Sequence, residues 1–197
     1  MKYFDSKIID NYLKESSDNI KLISDYKIEI LNIVKHIIST HKKKCKLFAC
    51  GNGGSDSEAE HFVTELLCTF ENRKRKPISA FSLNSSSSSL SAWSNDFNYK
   101  SFLERNIIAH CNKGDILFIL TTSGGSKKKS QSENIILAAK AAKKKGVKII
   151  SLTGKKGGEI KKLSDICIHI KNNKTSLIQE AHLAIIHLIC IFLDKKI

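Results

Sequence analysis

Five short stretches constrain this chain more than anything else in it: CKLFAC (45–50), ISAFSL (78–83), DILFILTT (115–122), VKIISLTG (147–154) and ICIHI (166–170). Each is apolar at nearly every position rather than at every second one. A strand of that kind must be covered on both faces, and the segments between these runs have helical spacing. The pattern predicts an α/β fold in which a parallel sheet of five strands lies between two helical layers.

Helical spacing also marks the N-terminal part, residues 4–41, where Ile20, Leu22 and Ile23 are followed by Ile28, Ile30, Leu31, Val34, Ile37 and Ile38. Ser16–Ser17 suggest a break into two helices, the second one long. Apolar residues on several faces of this arm, 1–44, predict packing against a neighbouring subunit as well as against its own core. The remaining residues, 45–197, read as one domain closed by a strongly apolar helix over about 175–194. The tract Ser85–Ser89 is too short for a linker and opens a loop or helix. At 197 residues one structural domain is expected.

Charge and cysteine content narrow the function classes. The net charge of +14 is nearly all lysine, in clusters such as Lys42–Lys44, Lys127–Lys129 and Lys143–Lys145. Lysine at helix C-termini suits the helix dipole, so these clusters read as solvated surface and no nucleic-acid partner is expected. The same positive field attracts anionic sugar phosphates. Six cysteines, at 45, 50, 68, 111, 167 and 190, show no CxxC spacing. Cys50, Cys68, Cys167 and Cys190 lie in apolar runs and read as small hydrophobes, without a disulfide framework. The N-terminus has no apolar leader segment and no uninterrupted apolar stretch approaches 18 residues, so a cytoplasmic protein without membrane contact is expected.

Two strand ends are unusual. GNGGS (51–55) follows the first run and SGGS (123–126) the third. Glycine lets backbone approach an anion closely, and the free N–H groups of a following helix favour negative charge. Ser55, Thr121, Thr122 and Ser123 add hydroxyl donors. Neither loop is a Walker A or a GxGxxG sequence, so a small phosphate is indicated rather than a nucleotide triphosphate. Just beyond the first loop, His61 and Glu65 share a helix face at i and i+4, with Phe62 and Leu66 holding the neighbouring face down. Such a pair supplies a base or two ligands for a divalent metal. The terminal helix adds Gln179, Glu180, His182 and His187; His182 reads as a hydrogen-bonded core histidine.

CGNGGS with HFVTEL, WSNDF (93–97), TTSGGS, LTGKKGG (152–158) and IQEAHLAIIHL (178–188) together resemble the phosphoheptose isomerases of the SIS family of sugar-isomerase domains. The likeness covers roughly 45–195 and the arm is similar in kind. It implies the three-layer SIS fold, a homotetramer with active sites lined by more than one subunit, and conversion of sedoheptulose 7-phosphate to D-glycero-D-manno-heptose 7-phosphate. It further implies substrate contacts from Asn52, Gly53, Gly54, Ser55, Asn95, Asp96 and Gln179, and a phosphate grip from Thr121, Thr122 and Ser123. Glu65 would be the base and His187 the acid, with one zinc held by His61, Glu65, Gln179 and His187. Gln179 and His187 stand eight residues apart, about 12 Å along a helix, so sharing one metal requires extended side chains. Ser176 stands where the family has an aspartate, and SGGSKKKSQSENII lengthens the phosphate loop. Counting from the strand assigns its last serine to Ser126; counting from the helix assigns it to Ser132, the better N-cap and the one preferred. The same family includes a non-catalytic tetramer that binds a replication initiator, and SIS regulators that sense sugar phosphates; Glu65 and His187 favour the enzyme.

Overall fold

The five apolar runs become five strands in the computed structural model, which describes residues 5–197; the first four positions of the arm lie outside the described residues. In chain order the elements are α1 (Lys7–Lys21), a 3-10 turn (Leu22–Tyr26), α2 (Lys27–Lys42), β1 (Leu47–Cys50), α3 (Gly54–Leu67), β2 (Ala80–Ser82) and α4 (Ser87–Asp96). After a second 3-10 turn (Tyr99–Ser101) come α5 (Phe102–His110), β3 (Ile116–Thr121), α6 (Glu133–Lys144), β4 (Lys148–Thr153), α7 (Gly158–Leu163), β5 (Ile166–His169) and α8 (Thr175–Asp194). Every strand pair is parallel, in the order β2-β1-β3-β4-β5.

The core divides at the sheet as two-sided strands require. On one face α2, α3 and α8 bury Ile33, Ile37, Phe62, Leu66, Ile185 and Ile189 against β1, β3 and β4. On the other, α5, α6 and α7 bury Leu103, Ile107, Ile135, Ala139 and Ile160. β1 therefore leads into a helix on one face while its neighbour β3 leads into a helix on the other. That reversal opens a crevice at the carboxyl ends of β1 and β3, where open α/β sheets bind ligands. Both glycine loops lie there.

One boundary differs from the sequence reading. Ser16–Ser17 do not interrupt α1, because the Ser16 hydroxyl is satisfied by the Glu180 carboxylate of α8, beside a second bond from Tyr12 to the same group. The break falls at Leu22–Tyr26, whose Tyr26 hydroxyl donates to the His169 carbonyl at the end of β5. Helix α8 has the length and mean hydropathy (1.8) of a membrane span, yet half of that stretch is buried within the protein. Cys68, expected in apolar surroundings, is exposed; all six cysteines are free thiols.

Candidate active site

The turn from β1 into α3 is shaped by three glycines. A Cβ at Gly51 would lie 2.3 Å from the Ser55 backbone, so only glycine permits so abrupt an entry into the helix. Gly53 takes φ +56° as the N-cap, and Ser55 is buried on the first turn. Gly54 makes room for α8: a Cβ there would meet the Gln179 amide nitrogen at 2.4 Å. Asn52, between these glycines, is held from across the crevice. It exchanges hydrogen bonds with buried Asn134 of α6, at 3.0 and 2.7 Å, and its Oδ1 also accepts from the Tyr99 hydroxyl at 2.9 Å. Asn84 fixes the turn from the side, donating to the Gly51 carbonyl and to Asp56 Oδ1. Asn134, Tyr99 and Asn84 escaped the sequence reading because isolated Asn and Tyr residues carry no spacing signal.

The second loop folds on its own hydroxyls. Thr121 Oγ1 accepts from the Gly124 amide and Ser123 Oγ from the Gly125 amide, both at 3.2 Å. Thr121 is buried, whereas Thr122 and Ser123 are half-buried. The loop is locked to the LTGKKGG segment by bonds from the Glu159 and Ile160 amides to the Gly125 and Gly124 carbonyls. The inserted lysines form a small hairpin: Ser126 and Gln131 exchange backbone hydrogen bonds at 2.9 and 3.0 Å, leaving Lys127–Lys129 exposed at its tip. The hairpin brings Ser126 alongside Gln131 and so close to Ser132. Ser132 does occupy the N-cap of α6, but with a left-handed backbone (φ +52°) and no side-chain capping bond. The expected advantage of serine as a cap is therefore unrealised there.

At the far end of α3 the His/Glu pair meets α8. His61 Nε2 lies 3.1 Å from His187 Nε2 and 3.7 Å from Glu65 Oε1. Phe70 stacks on the His187 ring, with centroids 5.4 Å apart. Burial holds the His187 imidazole below its ordinary pKa, and His61 adds to this while Glu65 opposes it. Phe62 and Leu66 are buried against the sheet, as the spacing predicted. Gln179 sits at Gly54, about two turns from His187, and no hydrogen bond joins it to the histidine cluster. Asn95 and Asp96 are exposed at the end of α4, bonded to each other at 3.0 Å rather than to either loop.

Two buried titratable side chains lack hydrogen-bond partners among the described residues. His182 is in the core, as expected, but neither ring nitrogen has a hydrogen-bond partner among the described residues, and burial lowers its pKa to about 4. Glu58, three residues before His61 on the same helix, is buried with both carboxylate oxygens unpartnered among the described residues, and burial raises it to about 8.

Fold, loops and His/Glu cluster define a class: residues 11–154 match the SIS domain model, and the chain belongs to that family. Its relatives identify the branch. The phosphoheptose isomerase of Helicobacter pylori strain P12 is 36% identical, covering 93% of this chain and 88% of its own. That of Akkermansia muciniphila is 33% identical over 98% of both chains. The structure of a phosphoheptose isomerase from Francisella tularensis superposes with a TM-score of 0.90 at 30% identity, covering 98% of this chain and all of that one. Within the SIS proteins, this chain stands among the phosphoheptose isomerases.

Proposed function

We propose that the protein converts sedoheptulose 7-phosphate to D-glycero-D-manno-heptose 7-phosphate, the first step of ADP- or GDP-heptose synthesis. The observation that carries this reading is the meeting of Glu65, His61 and His187 where α3 crosses α8, at the other end of α3 from a glycine and hydroxyl cradle. The reaction moves a proton between neighbouring carbons. Glu65 takes the proton from C1 of the ketose while His187 gives one to the C2 oxygen, leaving an enediol. Glu65 then returns its proton to C2 as His187 recovers the one on the C1 hydroxyl, and the aldehyde forms at C1. Binding energy from the loops at the remote phosphate, supplied by Thr122, Ser123 and Ser132 with the amides of α3, holds the two carbons in register.

Among the described residues no three His, Cys, Asp or Glu side chains of one protomer are gathered around a metal position, but two of the expected donors are spaced for zinc. Tetrahedral zinc with ligand distances of about 2.0–2.1 Å sets neighbouring donor atoms roughly 3.3 Å apart, close to the spacing of the two imidazole nitrogens. His61, Glu65 and His187 would hold the ion, with Gln179 completing the set from another subunit. When bound, zinc supplies Lewis-acid stabilisation of charge on the substrate oxygens.

The resemblance implies a homotetramer, and two features support assembly into an oligomer. Gly54 and Glu65 are about 16 Å apart along α3, more than one sugar phosphate spans, so the loop of one protomer works with the Glu65 and His187 of another. The arm also exposes an apolar stripe, Ile8, Ile9, Leu13 and Ile28, next to a cleft of about 700 Å³ between Ile20, Ile30, Leu31, Leu188 and Phe192 that reaches His187. Incubating the protein with sedoheptulose 7-phosphate tests the reading. Aldose phosphate should form, stop with chelator and resume with zinc. Absence of product from metal-replete protein would leave the scaffold reading.

A further inference from the structure

The proton-transfer scheme makes no use of the most deeply buried ion pair in the described chain. Arg75 lies between α3 and β2 with 1% of its side chain exposed, and its Nε donates to Asp194 Oδ1 at 2.6 Å. Its other donors reach carbonyls at the end of α3, Leu66 at 3.0 Å with Glu65 and Cys68 taken by the second terminal nitrogen, and the carbonyl of Lys76 in the following loop at 2.9 Å. Asp194 is the final residue of α8. Its Oδ2 accepts from the amides of Glu71 and Asn72 at 2.7 and 2.8 Å, and Asn72 donates back to the Asp194 carbonyl at 3.0 Å.

A buried pair of this kind is a poor source of stability, because desolvating both charges offsets most of their attraction. What it does specify is geometry. One planar guanidinium joins the C-terminal turn of α3 to that of α8, and these are the two helices that carry Glu65 and His187. Glu65 is itself one of the residues whose carbonyl Arg75 grips, and His187 lies about two turns before Asp194. We propose that Arg75 and Asp194 are positioning residues for the isomerase centre: they fix the approach of base and acid without touching substrate.

This inference rests on Glu65 and His187 being the catalytic pair, so its test needs one readout that does not depend on turnover. Arg75→Met/Asp194→Leu replaces the pair by apolar groups of similar length, an exchange that buried pairs commonly tolerate. The folded variant should lose kcat by about 10–100-fold, the cost of a misplacement near 1 Å, with KM close to wild type. Its crystal structure should show His61 and His187 parted. Arg75→Lys, which keeps the charge but lacks the fork, should show the same split of kcat from KM and serves alone if the double variant does not fold. A folded variant with wild-type kcat and an unchanged His61–His187 contact would overturn the proposal. If the wild type has no isomerase activity, the functional reading fails separately, and the parted or unparted histidines still decide whether the clamp positions them.

Discussion

At the scale of single residues, His182 and His187 show how one side chain type serves two ends on one helix. His187 was legible in the sequence because a family motif surrounds it, and its partner His61 because i, i+4 spacing marks it. The environment of His182 was not legible: spacing places it in the core but cannot say whether a partner waits there. With its pKa lowered to about 4 by burial, against an ordinary value near 6.5, the native state binds fewer protons than the unfolded chain between those limits. Stability attributable to His182 is therefore fully present above about pH 6.5 and is lost as pH falls toward 4, by roughly 3 kcal/mol in all. Thermal midpoints measured from pH 7 to pH 4.5 should fall, and His182→Leu should flatten that fall; an equally steep profile in the variant would exclude His182 as its source. Arg75 was illegible for a related reason. One of two arginines in the basic run RKRK (73–76) reads as surface, and only the tertiary meeting of α3 and α8 makes it a buried clamp.

Among the elements, strands and the terminal helix were the most readable. An unbroken apolar run has one solution in an α/β protein, and all five strands lie within the predicted stretches. Helix α8 matches 175–194 because its apolar faces are continuous. Breaks were harder, since serine interrupts a helix only where its hydroxyl turns to local backbone; Ser16 finds Glu180 instead. The second glycine loop was legible as a turn at a strand end but not in register, because a hairpin that loops out leaves both counts valid. Ser86 and Ser132 illustrate the difference between a cap by position and a cap by chemistry. Ser86 accepts from the Ser89 amide, whereas Ser132 has no capping bond and a left-handed backbone. Ser132→Gly should accordingly stabilise the fold by about 1 kcal/mol, a rise of roughly 2–4 °C in Tm. The same change should raise KM several-fold if, as proposed, this hydroxyl completes the phosphate grip, while Ser126→Ala leaves KM near wild type. A KM that responds only to Ser126 would move the assignment to the strand-side serine.

For the whole molecule, the net charge of +14 and the exposed apolar arm act together. A net positive charge attracts anionic sugar phosphates, and the arm offers the apolar surface by which protomers would complete one another's sites. Ile9→Glu with Leu13→Glu places charges on side chains that the protomer leaves 62% and 60% exposed. Sedimentation should then show a smaller species that remains folded, with turnover lost; an unchanged mass would assign the stripe to another role. The central claim is that the Glu65 carboxylate carries the proton between two carbons of the substrate. It is tested most directly by running the reaction in deuterated water, following both turnover and deuterium at C1 and C2, with wild-type protein and with Glu65→Gln. The account predicts aldose carrying solvent deuterium at C2 from the wild type, and neither product nor exchange from a Glu65→Gln protein of unchanged fold and assembly. Near-normal turnover or exchange in that variant would contradict it.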